Sequence, residues 1–211
     1  MDTSSEKIRV IEDKINLLQQ KLNMPPLGKY TIPEDIKRRL DENCFERGNV
    51  IMLVNSMMSH MRLPFEQIDL RINVDRSPDR NIRYRPSGEY VFYGVPGRNQ
   101  IGITLTPEDN AESVAAILSH EMSHHYLYHN WIVIKPELDN EIFTDVAGVY
   151  FGFAVYMLGR YAENVKQNLS ARELFARRNT PNTIGYIDRE QIKYAMRRCD
   201  EIRRAYRNAG K

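Results

Sequence analysis

The sequence predicts an α+β fold in which a small antiparallel sheet packs against a helical body. Three observations lead there. Apolar residues recur at three- and four-residue steps through most of the chain, the period of an amphipathic helix. Short stretches rich in β-branched, aromatic or alternating residues are confined to the region between 68 and 105, and they have strand length. They come just before a helical segment that carries paired histidines, so sheet and helix are neighbours along the chain.

In order, Ile8, Ile11, Ile15, Leu18 and Leu22 mark a helix over 5–23, a seam about two heptads long. The expected reading is a helix docked on its own chain, and a coiled coil with a partner is the sharper alternative. Met24-Pro25-Pro26-Leu27-Gly28 ends it. Residues 1–28 are therefore read as an N-terminal helix and linker, and 29–211 as a single domain. Pro33 followed by Glu34 and Asp35 opens the next helical region, with acids at the positive end. Val50, Ile51, Val54, Met57, Met58 and Met61 mark an amphipathic helix ending before Leu63-Pro64, its methionine stripe read as core packing. Cys44, just upstream, is read as a small half-buried side chain; a thiolate capping a metal is the alternative.

Ile68, Leu70, Ile72 and Val74 alternate with polar residues as a half-buried strand. An arginine-bearing loop covers 75–89. Two strands follow, Tyr90 to Gly94 and Ile101 to Leu105, joined by a turn through Val95 to Gln100. Asn110 is a good N-cap for the helix that leads through Val114, Ile117 and Leu118 into His120. Trp131 to Ile134 is a short apolar patch stopped by Lys135-Pro136. Leu138 to Leu158 reads as one helix, and its Gly148 and Gly152 leave a flat strip for another helix, expected to be the histidine-bearing one. Ser170 to Glu173 forms a capping box, and 179–185 is a loop. Asp188 opens the last helix, whose stripe is Ile192, Met196, Cys199, Ile202 and Tyr206. Arg197, Arg198, Arg203, Arg204 and Arg207 surround that stripe with Asp200 and Glu201, a solvated and partly self-neutralised face.

Composition bounds the function. The 211 residues are 42% hydrophobic and 27% charged, an ordinary globular balance. A net charge of +2 gives no overall field for nucleic acid, and no aromatic platform accompanies the last helix's arginines. Two distant cysteines make no disulfide framework, so a reduced, cytoplasmic setting is expected. The N-terminus is polar, and no apolar run reaches the ~20 residues of a membrane span.

The chemistry concentrates at His120-Glu121-Met122-Ser123-His124. Residues four apart share a helix face, so two imidazoles can meet one ion, which is the spacing of a zinc site. Glu121, one residue beyond the first ligand, can reach a zinc-bound water instead of the metal. Zinc lowers the pKa of such a water to about 7, and a carboxylate can take its proton as it attacks a carbonyl. A catalytic zinc needs a third protein ligand. Glu141 opens the following helix and can return to the same ion. Asp145 lies one turn further, where it can accept a hydrogen bond from a ligand imidazole. Both can equally be solvent-facing acids at a helix start. His125 points about 100° away from His124, and His129 stands five residues past it.

His120-Glu121-x-x-His124 followed by Asn140-Glu141-x-x-x-Asp145 resembles the gluzincin metallopeptidases, the thermolysin-like branch. The match in specific motifs covers residues 120 to 145, and the order of elements extends it to about 45–210. The resemblance implies a zincin-like fold with an active-site helix and a following ligand-bearing helix. It implies Glu141 as third ligand and Asp145 as the residue orienting His120. An edge strand binding substrate as an added strand is implied too; Ile101 to Leu105 is the candidate, with Ile101 and Ile103 at the substrate. A downstream side chain stabilising the oxyanion is expected at Tyr186, with His129 in reserve. At this size the chain looks like a minimal gluzincin of the ImmA/IrrE type, which cuts repressor proteins.

The expected function is therefore a zinc-dependent endopeptidase acting on an intracellular protein or peptide, such as a transcriptional regulator. A zinc-containing binding or regulatory module for a protein partner stands as the alternative, and Glu121 speaks against it, since a structural site needs no base. A metallohydrolase of a non-peptide bond is the third reading.

Overall fold

The computed structural model describes residues 3–64, 67–76, 88–92, 99–159 and 186–210. The expected capping box at Ser170, the loop 179–185, most of the arginine-bearing loop and most of the turn before Gln100 lie outside the described residues. Among those described, seven helices surround a three-stranded sheet. The order is α1 (Thr3–Leu22), α2 (Glu34–Glu42), α3 (Arg47–His60), β1 (Asp69–Val74), β2 (Gly88–Val91), β3 (Gln100–Leu105), α4 (Ala111–His129), α5 (Glu137–Tyr150), α6 (154–159) and α7 (Arg189–Asn208). None of these helices is long and apolar enough to cross a membrane.

The fold is α+β, as the patterning predicts, but the sheet is mixed and not antiparallel. Its order is β1-β3-β2, with β1 parallel to β3 and β2 antiparallel to it. The expected edge strand, β3, is thus the central one. The reason lies in its side chains: Ile101, Ile103 and Leu105 are fully buried, and α4 covers their face. A strand with one wholly apolar face is best placed where both edges are paired and a helix lies across it. Gly88 and Tyr90 pair with Ile103 and Ile101, so they share the α4 side of the sheet. The strand at the edge beside α4 is β2.

The α1 seam is satisfied within the chain. Ile11, Ile15 and Leu18 are fully buried, and α1 packs on α5 and α7. Each such side chain contributes about 1.5–3 kcal/mol. At the rim, Glu12 accepts from Tyr194 at 2.8 Å and pairs with Arg198 at 2.9 Å, and Lys7 pairs with Asp188 at 3.1 Å. Asp188 also caps α7 in a reciprocal box with Gln191. Cys199 and Ile202 are buried, as the stripe predicts.

Three helices end in the same left-handed cap. Arg62, Trp131 and Gly152 have φ of 58°, 56° and 90°. In each case the next N–H returns to the carbonyl five residues back: Leu63 to Met58 at 3.0 Å, Ile132 to Leu127 at 2.8 Å, Phe153 to Gly148 at 3.0 Å. The third cap splits the helix expected over 138–158 into α5 and α6. A tertiary contact requires it. The linker after α1 crosses here, with Leu27 N–H donating to Tyr150 at 2.8 Å and Tyr30 N–H to Gly152 at 3.0 Å. A Cβ on Gly152 would stand 2.0 Å from the Gly28 carbonyl oxygen. Gly148, by contrast, does face α4, its would-be Cβ 3.3 Å from Ser123 Oγ. The small-residue strip therefore serves two neighbours, the linker as well as α4.

Gly152→Ala combines a disfavoured backbone conformation with a steric clash. It is expected to cost at least about 2 kcal/mol, read as a lower urea midpoint at unchanged slope. Gly28→Ala, where a Cβ meets nothing within 4 Å, should stay within about 0.5 kcal/mol of the parent chain.

Candidate metal centre

The centre is built by two helices. Asn110 Oδ1 accepts from the N–H groups of Glu112 and Ser113 at 2.9 and 3.0 Å and starts α4. From there α4 runs almost wholly buried between the sheet and α5. Its Ser119 and Ser123 hydroxyls donate to the carbonyls of Ala115 and Ser119 at 2.6 and 2.7 Å, so the surface meeting α5 carries no unpaired hydroxyl. Small side chains and Gly148 bring the two helices close, and the ligand faces meet.

His120, His124 and Glu141 converge. His120 Nε2 lies 3.0 Å from Glu141 Oε2, His124 Nε2 3.2 Å from the same oxygen, and the two Nε2 atoms are 3.1 Å apart. These three side chains form the one group of three or more His, Cys, Asp and Glu among the described residues with the spacing to hold a metal ion.

The outer nitrogens decide which atoms face inward. Thr144 Oγ1 donates to the Asn140 carbonyl at 2.8 Å, so it accepts from His124 Nδ1–H at 3.2 Å. Asp145 Oδ1 accepts from His120 Nδ1–H at 2.9 Å. With both Nδ1 atoms acting as donors, each neutral imidazole presents its Nε2 lone pair to the centre. Two nitrogen lone pairs and a carboxylate oxygen at van der Waals distance repel unless a cation or protons lie among them. A tetrahedral site with bonds of about 2.0–2.1 Å has edges of about 3.3–3.4 Å, close to the three separations here. The donor set therefore fits a divalent transition metal.

The acids draw positive charge, a proton or a cation, into the group. Burial depresses the imidazoles, but hydrogen bonds to Asp145 and Glu141 overcome it at His120, which is held well above its ordinary value. At His124 burial prevails, and its pKa falls. Burial works against ionisation of Glu141, yet the two histidines outweigh it and pull the carboxyl down to about 2. Glu141 is an anion at any physiological pH.

Glu121 differs. It is only 4% exposed and is not one of the three converging groups. Burial, aided by the charges of Glu141 and Asp145 and opposed by His120, raises its carboxyl to about 7. It lies flat against β2, where a Cβ on Gly88 would stand 2.2 Å from Glu121 Oε1. Only glycine at 88 admits the carboxylate there.

Tyr186 is brought to the site from the start of α7. Its ring stacks on His120 at 5.9 Å and 28°, and its N–H donates to Asp145 Oδ2, as does that of Ile187 at 3.2 Å. Burial and nearby carboxylates push its phenol up to about 12, so it remains a donor. Asp145, 1% exposed, thus accepts from a histidine ring and two backbone amides.

Other expectations fall elsewhere. Ile101 and Ile103 point into the core and cannot line a cleft. His125 turns away from the cluster and pairs through Nδ1 with Tyr90 Oη at 3.1 Å. His129 lies at the end of α4 with its ring 6.2 Å from that of His125. Cys44 reaches the Asp109 carbonyl at 3.3 Å, at the opposite end of α4, so it caps no metal. Thr144 and Gly88 escaped sequence reasoning. Thr144 has a signal, since it stands three residues after Glu141 on the ligand face of α5. Gly88 has none, because its role depends on strand order.

No protein-family model, curated protein or solved structure matches the chain.

Thr144→Val removes the acceptor for His124 Nδ1–H. It should weaken divalent-metal affinity about 10–100-fold, as measured by competition with a chromophoric chelator. Glu141→Gln should weaken it further.

Proposed function

We propose that the protein is a zinc-dependent endopeptidase that cuts a peptide bond in an intracellular protein. One observation carries the reading: a buried carboxyl, Glu121, stands beside a three-ligand centre without belonging to it. A purely structural site has no use for such a group. The resemblance of the two motifs to gluzincins supports the same reading, as does the His–His–Glu donor set.

A bound zinc ion would supply Lewis acidity, polarising the scissile carbonyl and acidifying a water. His120, His124 and Glu141 would hold the ion, leaving one tetrahedral position open. Asp145 and Thr144 keep the two rings in the tautomer that ligates. Glu121, poised near neutrality, takes a proton from the attacking water and passes it to the leaving nitrogen as the C–N bond breaks. Tyr186 would donate a hydrogen bond to the carbonyl oxygen as it gains charge. The substrate chain would lie along β2, the edge strand next to Glu121, in place of the central β3.

Glu121→Gln should retain one zinc per chain by elemental analysis and lower kcat about 10²–10⁴-fold. Retained zinc with undiminished cleavage would refute the role of Glu121. A zinc-loaded parent chain that cuts no protein or peptide would favour the binding-module reading. Gly88→Ala displaces the Glu121 carboxylate without touching a ligand. It should keep the zinc, lower kcat at least about tenfold, and leave KM within a few-fold of the parent value.

A further inference from the structure

A line of rings leads outward from the metal centre. Tyr90 stacks on the ligand His124 at 6.3 Å and 8°, and on Tyr128 at 5.6 Å. Tyr128 stacks on Phe92 at 5.1 Å, and Phe92 meets Trp131 edge-on at 5.8 Å. The rings come alternately from β2 and the residue after it, where Tyr90 and Phe92 face α4, and from the last turn of α4 and its cap. The line ends in solvent, with Trp131 77% exposed.

Two features set this patch apart from ordinary surface. First, three of the six exposed large apolar side chains among the described residues, Trp131, Val133 and Leu138, fall in the connection from α4 to α5 and the first turn of α5. That connection joins the two ligand-bearing helices. Leu138 stands three residues before Glu141, on the same face of α5. Second, Trp131 occupies the left-handed cap position of α4, at φ 56°, where glycine is the usual residue and a bulky one is strained. Local stability argues against tryptophan there. A strained, exposed aromatic continuous with a metal centre points to a ligand.

Resting on the peptidase reading, we infer that Tyr90, Tyr128, Phe92, Trp131 and Leu138 form a specificity subsite for a large apolar side chain of the substrate, on the His124 side of the scissile bond. The rings give such a side chain flat apolar area next to the edge strand. Glu137, which holds no ion, places negative potential at Tyr128, and this disfavours an acidic residue.

Trp131 is the chain's single tryptophan, so its emission reports the patch directly. Zinc-loaded Glu121→Gln protein is titrated with tryptophan-free dodecapeptides that differ only at one central residue: Phe, Leu, Ala, Lys or Asp. The Phe and Leu peptides should blue-shift the emission and bind at least about tenfold tighter than the Ala peptide, within the roughly 10–200-fold range of an apolar pocket. Phe92→Ala should erase most of that preference. Equal affinity for all five peptides, binding without a change in emission, or a preference for Lys overturns the proposal. Trp131→Gly, followed by calorimetry, should lose the preference without a lower melting temperature. A lower melting temperature with the preference intact would make Trp131 structural and overturn it as well. So would a dimer, seen by sedimentation, that Trp131→Gly dissolves. The two readings fail separately. Zinc-loaded parent chain that binds the Phe peptide and leaves it intact defeats the peptidase reading alone, whereas cleavage indifferent to the central residue defeats the subsite alone.

Discussion

The carboxylate of Asp145 is the junction on which the site depends. It is buried, and it accepts hydrogen bonds from the His120 ring on α4 and from the N–H groups of Tyr186 and Ile187 at the entry to α7. Asp145 itself stands on α5. One anion therefore binds together three segments far apart in sequence. A buried charge is costly unless surrounded by donors, so the arrangement holds only when all three segments are in place. In return it fixes the ring of His120 and places the ring of Tyr186 against it. The position of the metal-facing nitrogen is in this sense a property of the whole helical body.

The convergence of His120, His124 and Glu141 was legible in the sequence because helical spacing is local. His120 and His124 share a face at four residues, and Glu141 and Asp145 do so on the next helix; both pairs come together as that spacing predicts. What was not legible depended on contacts between distant segments. Alternation in Ile101 to Leu105 identifies a half-buried strand, but the same pattern suits an edge or a centre, and only the parallel pairing with β1 decides. The apolar period continues unbroken from Leu138 to Leu158, yet the linker carbonyl at Gly28 stops the helix at Gly152. The α1 seam gave Ile11, Ile15 and Leu18 as buried, with Ile8 and Leu22 only half-buried, and it pointed to docking on its own chain without saying on which elements. The partner proved to be α5 and α7 of the same chain.

Placing β3 at the centre changes what the neighbourhood of the site is made of. The strand beside Glu121 is β2, and its two inward positions have opposite characters. Gly88 is the smallest residue possible, and the acid fits against it. Tyr90 is large and stacks on a ligand ring. The catalytic candidate and the aromatic patch are thus consecutive features of one strand face, two residues apart, and a one-residue slip of β2 would turn both away from α4. This ties the surroundings of Glu121 to the sheet through backbone pairing of β2 with β3.

The contacts of Asp145 also set an order of events during synthesis. His120, His124 and Glu141 have all been made once the ribosome has passed residue 141, so a nascent chain possesses all three converging groups early. The amides of Tyr186 and Ile187 arrive 41 and 42 residues after Asp145. Until then Asp145 lacks two of its three donors, and the His120 ring lacks the fixed partner that selects its tautomer. A polypeptide still being translated would carry the metal's donors without their final alignment. Final alignment of the three groups is in effect delayed until the far end of the fold has closed over them.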